Sequence, residues 1–150
     1  MIYLLILIFF LPVFSPTAVE FKQEILKEVN ALRKKGCYCG DNYMPPVKAV
    51  SWNRLLERSA FLHAKDMHEK KYFSHIDRNG KDIGDRVHAV GYKWIFIGEN
   101  IAEGQANIDE LMEDWLKSET HCKLMMNSNF EEMGVSNYQY TWVQHFGKQL

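Results

Sequence analysis

Apolar residues recur at helical steps of three and four through most of this chain, and β-forming runs come mainly after them. That order constrains the fold more than any other feature. From Phe21 to Lys35, the residues Phe21, Ile25, Val29 and Leu32 share one face, and Gly36 supplies a stop. A second helix is predicted over Asn53 to Lys71, with the stripe Leu56, Ala60, His63 and Met67. Asp82 and Gly91 bracket a short helix over Ile83 to Val90. Asn107 with Glu110 forms a capping-box pattern before a helix over Ile108 to Ser118, which buries Ile108, Leu111, Met112 and Trp115. Trp94 to Ala102 reads as a strand, and Met133 to Tyr138 with Tyr140 to Phe146 as a hairpin. Gly36 to Pro46 reads as a loop and Phe73 to Gly80 as a polar turn region. Trp94, Phe96, Trp115 and Trp142 are assigned to the core. Helices followed by strands predict an α+β fold, with helices packed on a sheet.

The chain begins with MIYLLILIFFLPVF, a run too short for a spanning helix, which needs about 20 apolar residues. Followed by Ser15-Pro16-Thr17-Ala18, it reads as a signal peptide over residues 1–19, although the usual basic n-region is missing. The other reading is an uncleaved anchor. Residues 20–150 then form one domain of roughly 130 residues, enough for a single core. After signal removal no membrane span is expected. The net charge of −1, with no basic stripe, argues against nucleic acid as a partner.

Export permits a disulfide among Cys37, Cys39 and Cys122. Cys37 and Cys39 are too close to bridge without strain, so Cys122 pairs with one of them and one thiol is left over. Three unpaired thiols, or a metal site using the Cys-x-Cys pair, are the other possibilities.

Three blocks place titratable groups at the ends of predicted elements: Phe73-Ser74-His75, Gly98-Glu99-Asn100-Ile101-Ala102, and Trp115 to Cys122 with His121 near its end. Two imidazoles and a carboxylate suit Zn²⁺ or another divalent metal, with Glu99 either completing the site or orienting an imidazole. The same set suits acid–base chemistry near neutral pH. The separation of His75 from His121 carries no local metal signature. His63 sits on an apolar stripe and reads as a packing residue. His68 and His88 read as surface residues, and His145 lies in a strand with one neighbour facing the core. Gly-x-Ser-x-Gly and His-Glu-x-x-His are absent, so neither a serine hydrolase nor a zincin is supported.

From about Phe21 to Gly147 the chain resembles the CAP superfamily of cysteine-rich secretory proteins, antigen 5 and pathogenesis-related proteins. It is most similar to the short bacterial SCP-like branch. The matching blocks run collinearly: Asn30-Ala31-Leu32-Arg33, Val50-Ser51-Trp52-Asn53, His63-Ala64-Lys65-Asp66-Met67, Phe73-Ser74-His75, Asp85-Arg86 and Gly91-Tyr92. Gly98 to Ala102, Trp115 with Ser118 and His121, Asn129-Phe130, Gly134-Val135 and Trp142-Val143-Gln144 complete them. The resemblance implies a three-layer α-β-α sandwich with a cleft in which His75, Glu99 and His121 hold a divalent metal. The family's second acid stands where this chain has Ser118, with Glu119 beside it. The resemblance also implies a Cys39–Cys122 disulfide. The leading functional expectation is a secreted binding module for a small or extended ligand, such as a lipid, glycan or peptide. The alternative is a metal-dependent extracellular hydrolase, peptidase-like, with Glu99 as its candidate catalytic base.

Overall fold

The fold is that of a computed structural model, in which residues 18–150 are described. The signal-peptide reading falls on residues outside that range, apart from its last two. The first helix is α1 (Ala18–Lys35). The second, α2 (Arg54–Lys70), starts because the Asn53 side chain accepts from the N–H groups of Leu55 and Leu56. It stops at Lys71, which adopts a left-handed conformation with φ 55°. Its buried stripe is Leu56, Ser59, Ala60, His63, Ala64 and Met67. The short α3 (Ile83–Ala89) starts with a reciprocal capping box between Asp82 and Asp85. At α4 (Ile108–Lys117) Asn107 accepts from the Glu110 N–H at 2.9 Å, while the Glu110 carboxylate takes the Ala106 N–H at 2.7 Å.

The main sheet contains β3 (Ser51–Trp52), β4 (Trp94–Glu103), β5 (Glu132–Tyr138) and β6 (Thr141–Gln149), in the order β3-β5-β6-β4. β3 runs parallel to β5 and the other pairs are antiparallel. One face of the sheet packs on α2 through Ala60, Ala64, Met67, Ile101 and Val143. The other packs on α1 and α4 through a larger core that includes Ile25, Val29, Leu111, Trp115, Met133, Val135 and Phe146. The architecture is α+β in three layers. The helix and sheet layers approach closely at Gly134, where a Cβ would stand 2.1 Å from the Glu57 nitrogen.

Three features depart from the sequence reading. The Gly36–Pro46 loop contains a hairpin of β1 (Cys37–Cys39) and β2 (Asn42–Met44). A further helix, α5 (Glu119–Met125), follows α4 directly and carries His121 inside it. Trp115 and Trp142 are core residues, but Trp94 and Phe96 are exposed. They lie at the start of the edge strand β4, beside a register shift, where no helix layer covers both faces. The Trp94 ring instead rests against Gly84 of α3, where a Cβ would meet it at 2.8 Å.

Arg33 ties distant parts of this frame together. Fully buried, it donates to the carbonyls of Lys48 (2.7 Å), Met125 (2.6 Å), Asn127 (3.1 Å) and Phe130 (3.2 Å). Burial lowers its pKa to about 10, so it stays charged at neutral pH. Opposite it in sequence, Cys39 and Cys122 form a disulfide that pins the β1–β2 hairpin to α5. Cys37 remains a free thiol.

Candidate functional site

Glu99 lies on β4 directly across from His145 on β6. Alternation along β4 turns Glu99 and Ile101 toward α2, and Gly98 and Asn100 toward α5. The Glu99 side chain is 2% exposed, so its charge needs partners. It has three. His75 Nδ1 donates to Oε1 at 2.8 Å. His145 Nε2 donates to Oε2 at 2.8 Å, and Arg86 Nη2 to the same oxygen at 2.7 Å. His63 Nε2 stands 3.9 Å from Oε2 and donates to the Ser74 carbonyl at 3.0 Å.

Burial alone would raise the Glu99 carboxyl. Hydrogen bonds from His145 and His75, with the charge of Arg86, outweigh it and hold the group well below the ordinary carboxylate range. The opposite balance holds at His63, where burial outweighs the attraction of Glu99 and lowers the pKa to about 4. His63 is therefore neutral near pH 7. Its Nε2 proton faces a carbonyl that can only accept, so its Nδ1 carries the lone pair.

The loop from Phe73 to Lys81 is held rigidly enough to present His75. Ser74 Oγ accepts from the Ile76 N–H at 3.1 Å, and Asp77 Oδ1 accepts from the Asn79 and Lys81 N–H groups at 2.7 and 2.9 Å. Arg86 Nη1 clamps the loop by donating to the carbonyls of His75 and Lys81, both at 2.9 Å. The His75 ring itself is 55% exposed. With Nδ1 committed to Glu99, its Nε2 is the lone pair turned outward.

His121 approaches from the other face of β4. Asn100 Nδ2 donates to its carbonyl at 3.3 Å and to Gln144 Oε1 at 2.9 Å, fixing α5 against the strand. The imidazole is half-buried. Its pKa is lowered first by burial and then by the charge of His75. Of the three sequence-predicted residues, His75 and Glu99 are in contact, whereas His121 has no hydrogen bond to either among the described residues and is linked to His75 only through the electrostatic lowering of its pKa. The adjacent acid points elsewhere: Glu119 binds Lys123 and Asn42, and Ser118 Oγ binds Thr120. Among the described residues, the one trio of His, Cys, Asp or Glu whose ligand atoms lie within 4.8 Å of one another is Cys37, Cys39 and Cys122. The disulfide occupies two of those sulfurs.

Sequence reasoning missed His145 and Arg86 as partners of Glu99. His145 carried a signal: a histidine within a run of β-formers must find a hydrogen-bond partner once buried. Arg86 gave none beyond its place in a matching block.

The model of the CAP, or cysteine-rich secretory protein, family matches residues 26–146. The Bacillus subtilis (strain 168) protein YkwD is 29% identical over 135 residues, covering 88% of this chain and 49% of YkwD. An extracellular protein containing an SCP domain from Bacillus anthracis (strain Ames) superposes with a TM-score of 0.76 at 26% identity, over 90% of this chain and 45% of that one. An outer surface protein of Borrelia burgdorferi superposes with a TM-score of 0.75 at 20% identity, over 90% of this chain and 97% of that one, which speaks to the fold alone. The chain thus spans about half the length of YkwD and of the B. anthracis protein. Matching blocks, three-layer fold and family model agree, and this chain belongs to the CAP family of cysteine-rich secretory proteins.

Proposed function

We propose that this chain is an exported binding module in which His75 and His121 hold a divalent metal, with Zn²⁺ the best fit, beside the edge of β4. The observation that carries the reading is the 2.8 Å bond from His75 Nδ1 to Glu99. It selects the tautomer whose Nε2 lone pair faces outward, the usual way a carboxylate orients a metal-binding imidazole. A lowered pKa at His121 favours the neutral, ligating form there too. Two imidazoles leave coordination positions for water or a ligand. Phe73 and Ile76, both exposed beside His75, give the cleft an apolar rim suited to an extended ligand such as a lipid, glycan or peptide.

Export is supported by the apolar N-terminal run, by the Cys39–Cys122 disulfide, and by relatives described as extracellular or outer-surface proteins. No helix among the described residues is long and apolar enough to cross a membrane.

The hydrolase reading needs Glu99 as a general base. Both of its oxygens already accept hydrogen bonds, and its lowered pKa makes it a weak base. The binding reading is therefore preferred.

Calorimetric titration with Zn²⁺ tests it. Wild type should bind one equivalent, His75→Ala and His121→Ala should each abolish binding, and Glu99→Gln should weaken it about 10- to 100-fold. Undiminished affinity in the His75→Ala, His121→Ala double variant would remove the metal from the cleft. Turnover of a peptide, ester or glycan that depends on Zn²⁺ and Glu99 would favour the hydrolase.

A further inference from the structure

Three sulfurs meet where the β1–β2 hairpin packs on α5. Cys39 and Cys122 form the disulfide and are both 0% exposed, whereas Cys37 is a partly exposed free thiol. Cys37 and Cys39 stand two apart on β1, so their side chains turn to the same face of the strand. Cys37 Sγ lies 3.7 Å from Cys122 Sγ and 3.8 Å from Cys39 Sγ. The free thiol therefore touches both sulfurs of the bridge.

From this geometry we infer that the three cysteines form a thiol–disulfide exchange centre, in which Cys37 is the point of entry for low-mass thiols that cannot reach the buried bridge directly. Exchange needs a thiolate beside a disulfide sulfur, and both are present. Two attacks are open to Cys37. Attack on Cys39 would join residues two apart on one strand, which is strained. Attack on Cys122 keeps the hairpin tied to α5 and is the productive one. Burial raises the pKa of the Cys37 thiol, so the exchange runs through its minor thiolate form near neutral pH.

The sulfur chemistry balances without an added oxidant. Cys37 gives up its proton and attacks Cys122 Sγ. The Cys37–Cys122 bond forms, the Cys39–Cys122 bond breaks, and Cys39 leaves as the thiolate and takes up a proton. One bridge and one thiol remain, but a partly exposed sulfur now belongs to the bridge. A low-mass thiol then attacks Cys37 Sγ, forming a mixed disulfide and releasing Cys122 as a thiol. A second molecule of that thiol displaces Cys37. The external thiols leave as their own disulfide, and the chain keeps three thiols. The exchange uses neither the His75–His121 cleft nor a metal.

Reduced glutathione is the probe. The native full chain is incubated with it at about pH 8.5, where thiolate becomes available, and then quenched in acid. Bridge loss is followed by alkylation and mass spectrometry. Wild type should lose its bridge at least about tenfold faster than Cys37→Ser, which alters only a partly exposed thiol. In guanidinium chloride, where burial no longer protects the bridge, that advantage should fall away. A second measurement needs no variant and no glutathione. Wild type equilibrated alone and alkylated should carry label on Cys39 in a fraction of molecules, with Cys37 joined to Cys122. Chymotryptic cleavage after Tyr38 separates the two positions. Label confined to Cys37, or a native bridge reduced as fast in Cys37→Ser as in wild type, would overturn the assignment.

Discussion

Glu99 is where the chemistry of single residues is concentrated. One buried carboxylate accepts from two imidazoles and a guanidinium, with a third imidazole at 3.9 Å. His63 has the clearest consequence for stability. Its pKa is lowered from 6.5 to about 4 in the folded chain. Between those values the unfolded chain binds a proton that the folded chain does not, so stability falls as pH falls. The loss should approach about 3 kcal/mol across that window. Glu99 adds a further loss below its ordinary value of 4.5, because its folded-state pKa is depressed. Denaturant midpoints measured from pH 7 to pH 4 should drop in wild type. The part of the drop due to His63 should vanish in His63→Gln, whose amide can still donate to Ser74.

At the scale of elements, two places have predictable energetics. Arg33 holds the end of α1 to the segment before β3, through the carbonyl of Lys48, and to the C-terminal end of α5 and the turn after it, through those of Met125, Asn127 and Phe130. Arg33→Met leaves those buried acceptors unpaired and should cost at least about 3 kcal/mol in urea denaturation. The β5–β6 turn shows the reverse situation. Gln139 and Tyr140 both have positive φ, 50° and 64°, where side chains are disfavoured and Asn-Gly is the preferred pair. Gln139→Asn with Tyr140→Gly should therefore stabilise by about 1 kcal/mol, read as a higher melting temperature. A gain here would show that the turn's strain is carried by those two residues and not relieved by the exposed Tyr140 ring.

For the molecule as a whole, the disulfide joins residues 83 positions apart and anchors a small hairpin to the helix that carries His121. Closing so long a loop contributes about 4 kcal/mol in the chain-entropy account. Cys122→Ser should lower stability by that order in chemical denaturation. Cys39→Ser should lose less, because Cys37 Sγ lies 3.7 Å from Cys122 Sγ and can form a replacement bridge. Mass spectrometry of that variant should find Cys37 joined to Cys122. The same anchoring bears on the cleft: Zn²⁺ affinity in Cys122→Ser should fall, since His121 loses the covalent tie next to it.

Local patterns in the chain were sufficient for α1 to α4 and the β5–β6 hairpin, because helix and strand periodicity and caps such as Asn53, Asp82 and Asn107 act over a few residues. Collinear blocks identified the family and pointed to His75, Glu99 and His121. What local pattern could not supply was decided by pairing across the sheet. The register of β4 on β6 sets Glu99 opposite His145, and the packing of α3 brings Arg86 to the same oxygen. The short helix α5, the exposure of Trp94 and Phe96, and the orientation of Glu119 away from the cleft likewise depend on neighbours distant in sequence. A buried charge finds its partners only when the layers close around it, and that is a property of the tertiary structure.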